Sequence, residues 1–120
     1  MNTYQLGAVE SRFADIIWEN APLSSAQLVC LCEQQLQWKK STTYTVLKRL
    51  CEKGIFKNEK GTVTSVVARD DFYGAQSEKF VEDTFGGSLP AFLAAFTKRK
   101  KLSADEVEQL RKMVAEFGEG

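Results

Sequence analysis

Apolar residues recur at helical spacing through the first third of the chain and predict two helices there. In residues 6–18 they are separated by three or four positions, as on one face of an α-helix. These residues are Leu6, Val9, Phe13, Ile16 and Ile17. Asn20 and Pro22 are expected to stop this helix, and Ser24 or Ser25 to cap the next one. The second apolar stripe consists of Leu28, Leu31, Cys32 and Leu36.

The segment 38–54, WKKSTTYTVLKRLCEKG, predicts a third helix with two chemically different faces. Ser41 or Thr42 is the expected N-cap, and Gly54 is expected to end the helix in the left-handed conformation. The buried face is predicted to consist of Thr43, Val46, Leu47 and Leu50. The opposite face carries hydroxyls, a phenol and bases, contributed by Thr42, Tyr44, Thr45, Lys48 and Arg49.

Two β-prone segments follow the third helix. Residues 55–60 and 62–68 have strand-like composition, and Gly61 supplies the turn between them. A short hairpin directly after a helix-turn-helix pair is the layout of a winged helix. We therefore predict a mostly α-helical fold with a small β-hairpin, in which residues 1–70 form a winged helix-turn-helix domain.

The pattern becomes helical again in the last third of the chain, in residues 72–85, 88–96 and 103–117. Ser103 and Glu106 form a capping box at the start of the last helix. Because these helices are too short and one-sided to form a core alone, residues 71–120 are predicted to be a helical dimerisation domain of a homodimer. The residues expected in its interface are Phe80, Phe85, Leu89, Phe92, Leu93, Phe96, Val107, Leu110, Val114 and Phe117.

The charge of the chain is balanced overall but not locally. The 120 residues carry 16 Lys or Arg and 16 Asp or Glu. Residues 38–60 contain seven bases and two acids, so this segment has a net charge of 7 − 2 = +5 and the rest of the chain −5. Such asymmetry is typical of a polyanion-binding surface on an otherwise acidic body.

The order helix, helix, basic helix, hairpin indicates binding to double-stranded DNA. An α-helix fits the major groove, and recognition helices read bases near their N-terminal end. Hydroxyls would contact bases, while lysines and the arginine would contact phosphates. The predicted DNA-binding residues are Lys39, Lys40, Ser41, Thr42, Tyr44, Thr45, Lys48, Arg49, Lys57 and Lys60. A dimer would bind two half-sites arranged as an inverted repeat, about one DNA turn or a small multiple apart.

Residue composition excludes several enzyme classes. The chain has no histidine, which removes Ser-His-Asp and Cys-His catalysis. It also has no glycine-rich phosphate loop, so we predict no catalytic residues and no cofactor. Cys30, Cys32 and Cys51 are an odd number, which argues against a disulfide framework and favours reduced structural thiols over a metal site.

The sequence also predicts a cytoplasmic protein without membrane insertion. No apolar run approaches the roughly 20 residues that a membrane-spanning helix needs. The first residues, MNTYQLGAVESRF, lack the basic and apolar regions of a signal peptide.

Four segments, in order over nearly the whole chain, resemble the penicillinase-repressor family. They are IIWENAPLS, TTYTVLKRLCEKG preceded by Trp38, FGGSLPAFLAAF and KKLSADEVEQLRKMV. The family includes the beta-lactamase and methicillin-resistance repressors and copper-responsive repressors. The resemblance implies a homodimeric repressor that binds an operator of dyad symmetry and regulates a resistance or stress operon including its own.

The resemblance also implies roles for individual residues. The groove-reading stretch falls at Lys40, Ser41, Thr42, Tyr44 and Thr45. Tyr44 stands where the resistance repressors carry an arginine, so the operator sequence stays open. Those repressors are inactivated when a membrane sensor-protease system leads to cleavage before a phenylalanine. The matching bond is Ala95–Phe96, without the usual preceding asparagine, and the cysteine-rich tail of the copper branch has no counterpart here.

Two other functions agree with the same residues. A winged helix can serve as a protein-interaction module instead of a DNA reader. A thiol-responsive regulator, with Cys30, Cys32 or Cys51 as the switch, is a further alternative, because Cys51 lies on the predicted third helix.

Overall fold

The computed structural model describes residues 5–118, and within this range the chain forms six helices and three short strands. The helices are α1 (Ala8–Asn20), α2 (Ser25–Leu36), α3 (Lys40–Glu52), α4 (Arg69–Phe85), α5 (Leu89–Arg99) and α6 (Ala104–Phe117). The strands are β1 (Leu23–Ser24), β2 (Phe56–Glu59) and β3 (Thr62–Ser65). The predicted fold class, mostly α with a small β-hairpin, is confirmed. The chain divides into two compact units between Ser77 and Glu78.

The core of the first unit is built from the apolar faces of α1, α2 and α3 and from the hairpin. Its fully buried side chains include Phe13, Ile17, Leu28, Cys32, Thr43, Leu47, Leu50, Ile55, Phe56, Val63 and Phe72. Leu6 is buried but precedes α1, and Val9 is 52% exposed in the first turn of α1. The predicted stripe was therefore wrong at Val9, because the helix begins at Ala8 and turns this position outward.

Phe13 links α1 to the segment between α2 and α3. Its side chain is fully buried, and its ring stacks on Trp38 with the centroids 5.3 Å apart. Replacing Phe13 by alanine is expected to lower the free energy of unfolding by about 3–5 kcal/mol, since the cavity left behind collapses only partly. Urea denaturation followed by circular dichroism measures this loss. Val9→Ala on the same helix is the matched control and is expected to change stability by less than about 0.5 kcal/mol.

Capping hydrogen bonds define where the helices begin. In α2 the Gln27 N–H donates to Ser24 Oγ at 3.0 Å and the Ser24 N–H donates to Gln27 Oε1 at 2.9 Å. Ser103 and Glu106 form the same reciprocal pair at α6. Of the two predicted candidates for α2, Ser24 is the cap, and the predicted capping box of Ser103 and Glu106 is confirmed.

The prediction of Ser41 or Thr42 as the N-cap of α3 was wrong. The helix already begins at Lys40, with Lys39 in the cap position and no side-chain cap. The hydroxyls of this turn are used differently, since Thr45 Oγ1 donates to the Ser41 carbonyl at 2.9 Å. The predicted end at Gly54 is confirmed, with φ of +83°.

The three strands form an antiparallel sheet in the order β1–β3–β2. Lys60 and Gly61 join β2 to β3, and both have positive φ (51° and 82°), as a two-residue hairpin turn favours. The short strand β1 was not predicted from the sequence. It pairs Leu23 with Val63 and Ser24 with Thr62, which fastens the start of α2 to the hairpin.

The first turns of α4 are attached to α1 within the first unit. Asp15 Oδ1 accepts from Arg69 Nε at 3.0 Å and from the Tyr73 hydroxyl at 3.3 Å. The Leu6 N–H donates to Gln76 Oε1 at 3.2 Å. Residues 69–77 therefore belong to the same packed unit as the three helices before them.

The second unit has little covered apolar surface. Neither α5 nor α6 contains a buried residue. Phe92 makes ring contacts with Phe80, Phe85 and Phe96, at centroid distances of 6.2, 5.7 and 6.1 Å. Large apolar side chains nevertheless stay in contact with solvent, among them Phe80, Leu89, Phe96, Val107, Met113, Val114 and Phe117.

Candidate nucleic-acid interface

One face of α3 is buried and the other is entirely exposed. Thr43, Val46, Leu47 and Leu50 are buried, as predicted. The exposed side carries the residues Lys40, Ser41, Thr42, Tyr44, Thr45, Lys48 and Arg49. Seven of the ten residues predicted to contact DNA are thus accessible from solvent on this one helix, while Lys39 precedes it and Lys57 and Lys60 lie on the hairpin.

The hydroxyls at the start of α3 differ in what they offer a ligand. The Thr45 hydroxyl donates its proton to the Ser41 carbonyl, so Thr45 Oγ1 can offer a ligand only its acceptor lone pairs. Buried Thr43 donates in the same way to the Lys39 carbonyl at 3.3 Å. Lys40 Nζ lies 6.0 Å from the centroid of the Tyr44 ring, which places a cation beside this phenol.

Tyr44 also connects α3 to α2. Its hydroxyl donates to Ser25 Oγ at 3.2 Å, and the Ser25 N–H donates to the Gly61 carbonyl at 2.8 Å. The exposed face of α3, the beginning of α2 and the hairpin turn therefore meet in one region. The sequence indicated Ser25 only as a candidate cap, because no periodicity relates residues that are 19 positions apart.

Two of the predicted phosphate-binding cations are engaged in ion pairs. Arg49 Nη1 lies 3.0 Å from Glu10 Oε2, and Lys57 Nζ lies 2.9 Å from Glu59 Oε1. Lys39, Lys40, Lys48 and Lys60 are exposed and take part in none of the ion pairs of residues 5–118. Both cations are exposed, although the Glu10 side chain is partly buried. Ion pairs this accessible to solvent are worth about 0–1 kcal/mol, so a phosphate can compete for either cation.

The Glu10 carboxylate is held in its charged form. Burial raises its pKa, but hydrogen bonds from the Gly7 N–H and Arg49, with the charges of Lys53 and Arg49, bring the pKa below the usual value. The contribution of this group to stability is therefore present above the unfolded-state pKa and is lost as the pH falls through the folded-state pKa.

The three cysteines lie in different environments. Cys30 is exposed, Cys32 is buried and Cys51 is half-buried. Burial raises the pKa of the Cys32 and Cys51 thiols, which favours their protonated, unreactive form. In residues 5–118 no cluster of three or more potential ligands could hold a metal ion. The helices of the same range include none with both the length and the apolar composition of a membrane span.

Three helices followed by an antiparallel hairpin, with an exposed basic third helix, define a winged-helix protein. The sequence pattern of the penicillinase repressor family matches residues 6–116. The chain belongs to this family, whose members are DNA-binding regulators and not enzymes, and it is a transcriptional repressor. The resemblance found in the sequence is thereby confirmed.

Individual relatives match over most of their length. The methicillin resistance regulatory protein MecI of Staphylococcus aureus is 27% identical over 116 residues, covering 93% of this chain and 94% of that protein. A penicillinase repressor of the same species is 24% identical over 111 residues, with coverages of 89% and 88%. An uncharacterized 16.5 kDa protein of Latilactobacillus sakei is 26% identical over 117 residues, with coverages of 94% and 80%.

Proposed function

We propose that the chain is a homodimeric repressor that binds an inverted-repeat operator, with α3 of each subunit in the major groove. Its target is a resistance or stress operon that includes its own gene. The observation that carries this proposal is the exposed face of α3, which combines hydroxyls, a phenol and cations beside the hairpin turn.

The exposed chemistry of α3 matches both kinds of contact that a DNA reader makes. Ser41, Thr42, Tyr44 and Thr45 occupy its first two turns, where recognition helices face base edges. The predicted phosphate contacts come from Lys39 and Lys40 at the helix start, Lys48 and Arg49 further along, and Lys57 and Lys60 on the hairpin. All six of these cations are exposed.

The uncovered apolar surface of the second unit supports the homodimer. Leu89 is 56% exposed, Val114 69% and Phe117 74%. Apolar surface at this density on a small helical unit is typical of an interface, and a second copy of the chain is its simplest cover. Joined second units would also fix the spacing between two copies of α3, which an inverted repeat requires.

The predicted inactivation site, Ala95–Phe96, lies inside α5, with both residues exposed. A protease binds its substrate in an extended conformation, so cleavage of this bond requires local opening of α5. A membrane sensor-protease system would act by unfolding or cleaving α5, which would disrupt the proposed dimer interface.

An electrophoretic shift assay on the DNA upstream of the chain's own operon tests the proposal. At low salt we expect one retarded complex with two subunits per site, and affinity that falls steeply as the salt concentration rises. Size-exclusion chromatography with light scattering gives the oligomeric state separately. Absence of binding to every upstream fragment at low salt, from a protein shown to be dimeric, would rule the proposed function out.

The ion pair between Glu10 and Arg49 makes a further prediction about affinity. Glu10→Gln keeps the oxygen that accepts from the Gly7 N–H but releases Arg49 for a phosphate. We expect operator affinity to rise by about two- to fivefold per subunit, the value of an exposed ion pair. Fluorescence anisotropy titrations at several salt concentrations measure the change.

Asp83→Asn is the matched control for this substitution. It releases Lys79 from a similar exposed pair on α4, in the second unit, where Asp83 Oδ1 lies 3.2 Å from Lys79 Nζ. Operator affinity should stay unchanged in this variant. An equal gain in both variants would show that net charge alone, and not Arg49, is responsible.

A further inference from the structure

We propose that Ser25 is a positioning residue for base recognition: by accepting the hydroxyl proton of Tyr44, it restricts Tyr44 to bases that present an amino group in the major groove. The inference rests on the proposed placement of α3 in that groove. It assigns to α2 a part in sequence reading without requiring α2 to touch a base.

Ser25 is held firmly enough to orient its neighbour. Its N–H donates to the Gly61 carbonyl at 2.8 Å, and the preceding residue, Ser24, pairs with Thr62 in the sheet. Its side chain is partly buried, whereas Tyr44 is 36% exposed. Ser25 Oγ is therefore an acceptor on an anchored segment of backbone, and the hydroxyl of the more exposed Tyr44 is directed toward it.

The Ser25 hydroxyl is not needed to start α2. Ser24 is the N-cap, and its reciprocal bonds with Gln27 satisfy the first turn. Among residues 5–118, the hydrogen bond that the Ser25 side chain makes is the one with Tyr44. Removing the Ser25 hydroxyl therefore changes the surroundings of Tyr44 on the exposed face of α3 and leaves the N-cap of α2 in place.

The direction of the hydrogen bond decides what Tyr44 can recognise. A phenol has one proton and acceptor lone pairs. The phenol is more acidic than the serine hydroxyl, so it is the favoured donor of the proton between the two oxygens, which lie 3.2 Å apart. With that proton donated to Ser25, the Tyr44 oxygen can only accept, and the major-groove donors are the amino groups of adenine and cytosine. Without Ser25 the hydroxyl can also donate to the carbonyl oxygens of guanine or thymine, so discrimination at that base is lost.

Selection of binding sites from a randomised double-stranded DNA pool tests this inference with the full chain. The wild type is expected to select adenine or cytosine at the position that Tyr44 faces, by roughly 2- to 10-fold, the value of one hydrogen bond. Ser25→Ala should lose the preference at that position alone and keep all others. Tyr44→Phe should lose it at the same position, and the double variant should match Tyr44→Phe.

Two further variants separate positioning from a general effect on α2. Ser25→Thr keeps the acceptor oxygen and should retain the wild-type preference. Ser24→Ala weakens the cap, and so lowers the melting temperature, but should leave the preference unchanged. Thermal unfolding of every variant by circular dichroism confirms that a folded protein is compared.

The outcomes are distinct from those of the proposed function. A wild type that selects no consensus overturns the proposed DNA recognition and the inference together. A wild-type consensus that Ser25→Ala reproduces at every position overturns the inference alone. Additive losses in the double variant, or the same loss in Ser24→Ala, also overturn it.

Discussion

Replacing both Lys40 and Lys48 by alanine is expected to weaken operator binding by roughly 10³-fold at about 0.1 M salt. Both side chains are exposed and take part in no ion pair within residues 5–118, so their charges are available to phosphates. A dimer would lose four phosphate contacts, and each contributes about 0.9 to the slope of log affinity against log salt. Titrations between low and moderate salt should show this slope falling by about 3.6.

Lys79→Ala with Lys112→Ala is the matched control. It removes the same charge from α4 and α6 of the second unit and should leave the salt slope nearly unchanged. If the Lys40 and Lys48 double variant instead binds DNA with wild-type affinity as an intact dimer, the α3 face is not the phosphate-binding surface. The protein-interaction alternative for the winged helix would then be favoured.

Introducing aspartate at both Leu89 and Val114 is expected to separate the proposed dimer. These side chains are 56% and 69% exposed, so the subunit itself can accept the change. In an apolar interface, however, each buried carboxylate costs several kcal/mol. The variant should sediment as a 13.5 kDa monomer. Its operator affinity should fall by roughly 100-fold or more, because the two half-sites are no longer bound by linked subunits.

Val9→Asp is the control for this pair. Val9 is a similarly exposed apolar residue, but it lies on α1 in the first unit. It should leave both the dimer and DNA binding intact. A Leu89 and Val114 variant that still sediments as a dimer would place the interface elsewhere on the chain.

Local patterns in the sequence were sufficient for much of the fold. The spacing of Thr43, Val46, Leu47 and Leu50 identified the buried side of α3 and, by elimination, its exposed polar face. Short-range chemistry also located the capping box of Ser103 and Glu106, since cap and partner are three residues apart. Gly61 indicated the hairpin turn, because the positive φ required there is readily adopted by glycine and by few other residues.

Features set by distant residues could not be predicted in this way. Strand β1 has only two residues, too few for any periodicity, and exists because β3 pairs with it. Asp15 accepts hydrogen bonds from residues more than 50 positions away. The hydrogen bond between Tyr44 and Ser25 likewise depends on how α2 and α3 pack. The sequence therefore indicated Tyr44 as a DNA-binding residue but did not indicate the partner of its hydroxyl.

Helices α5 and α6 contain no buried residues, and this has a consequence for the concentration of the repressor in a cell. If a second copy covers these helices, their stability depends on concentration, as for any obligate association. Newly made chains that have not met another would be degraded first. The abundance of the protein would then have a lower threshold, below which repression ends abruptly as the cell grows and divides.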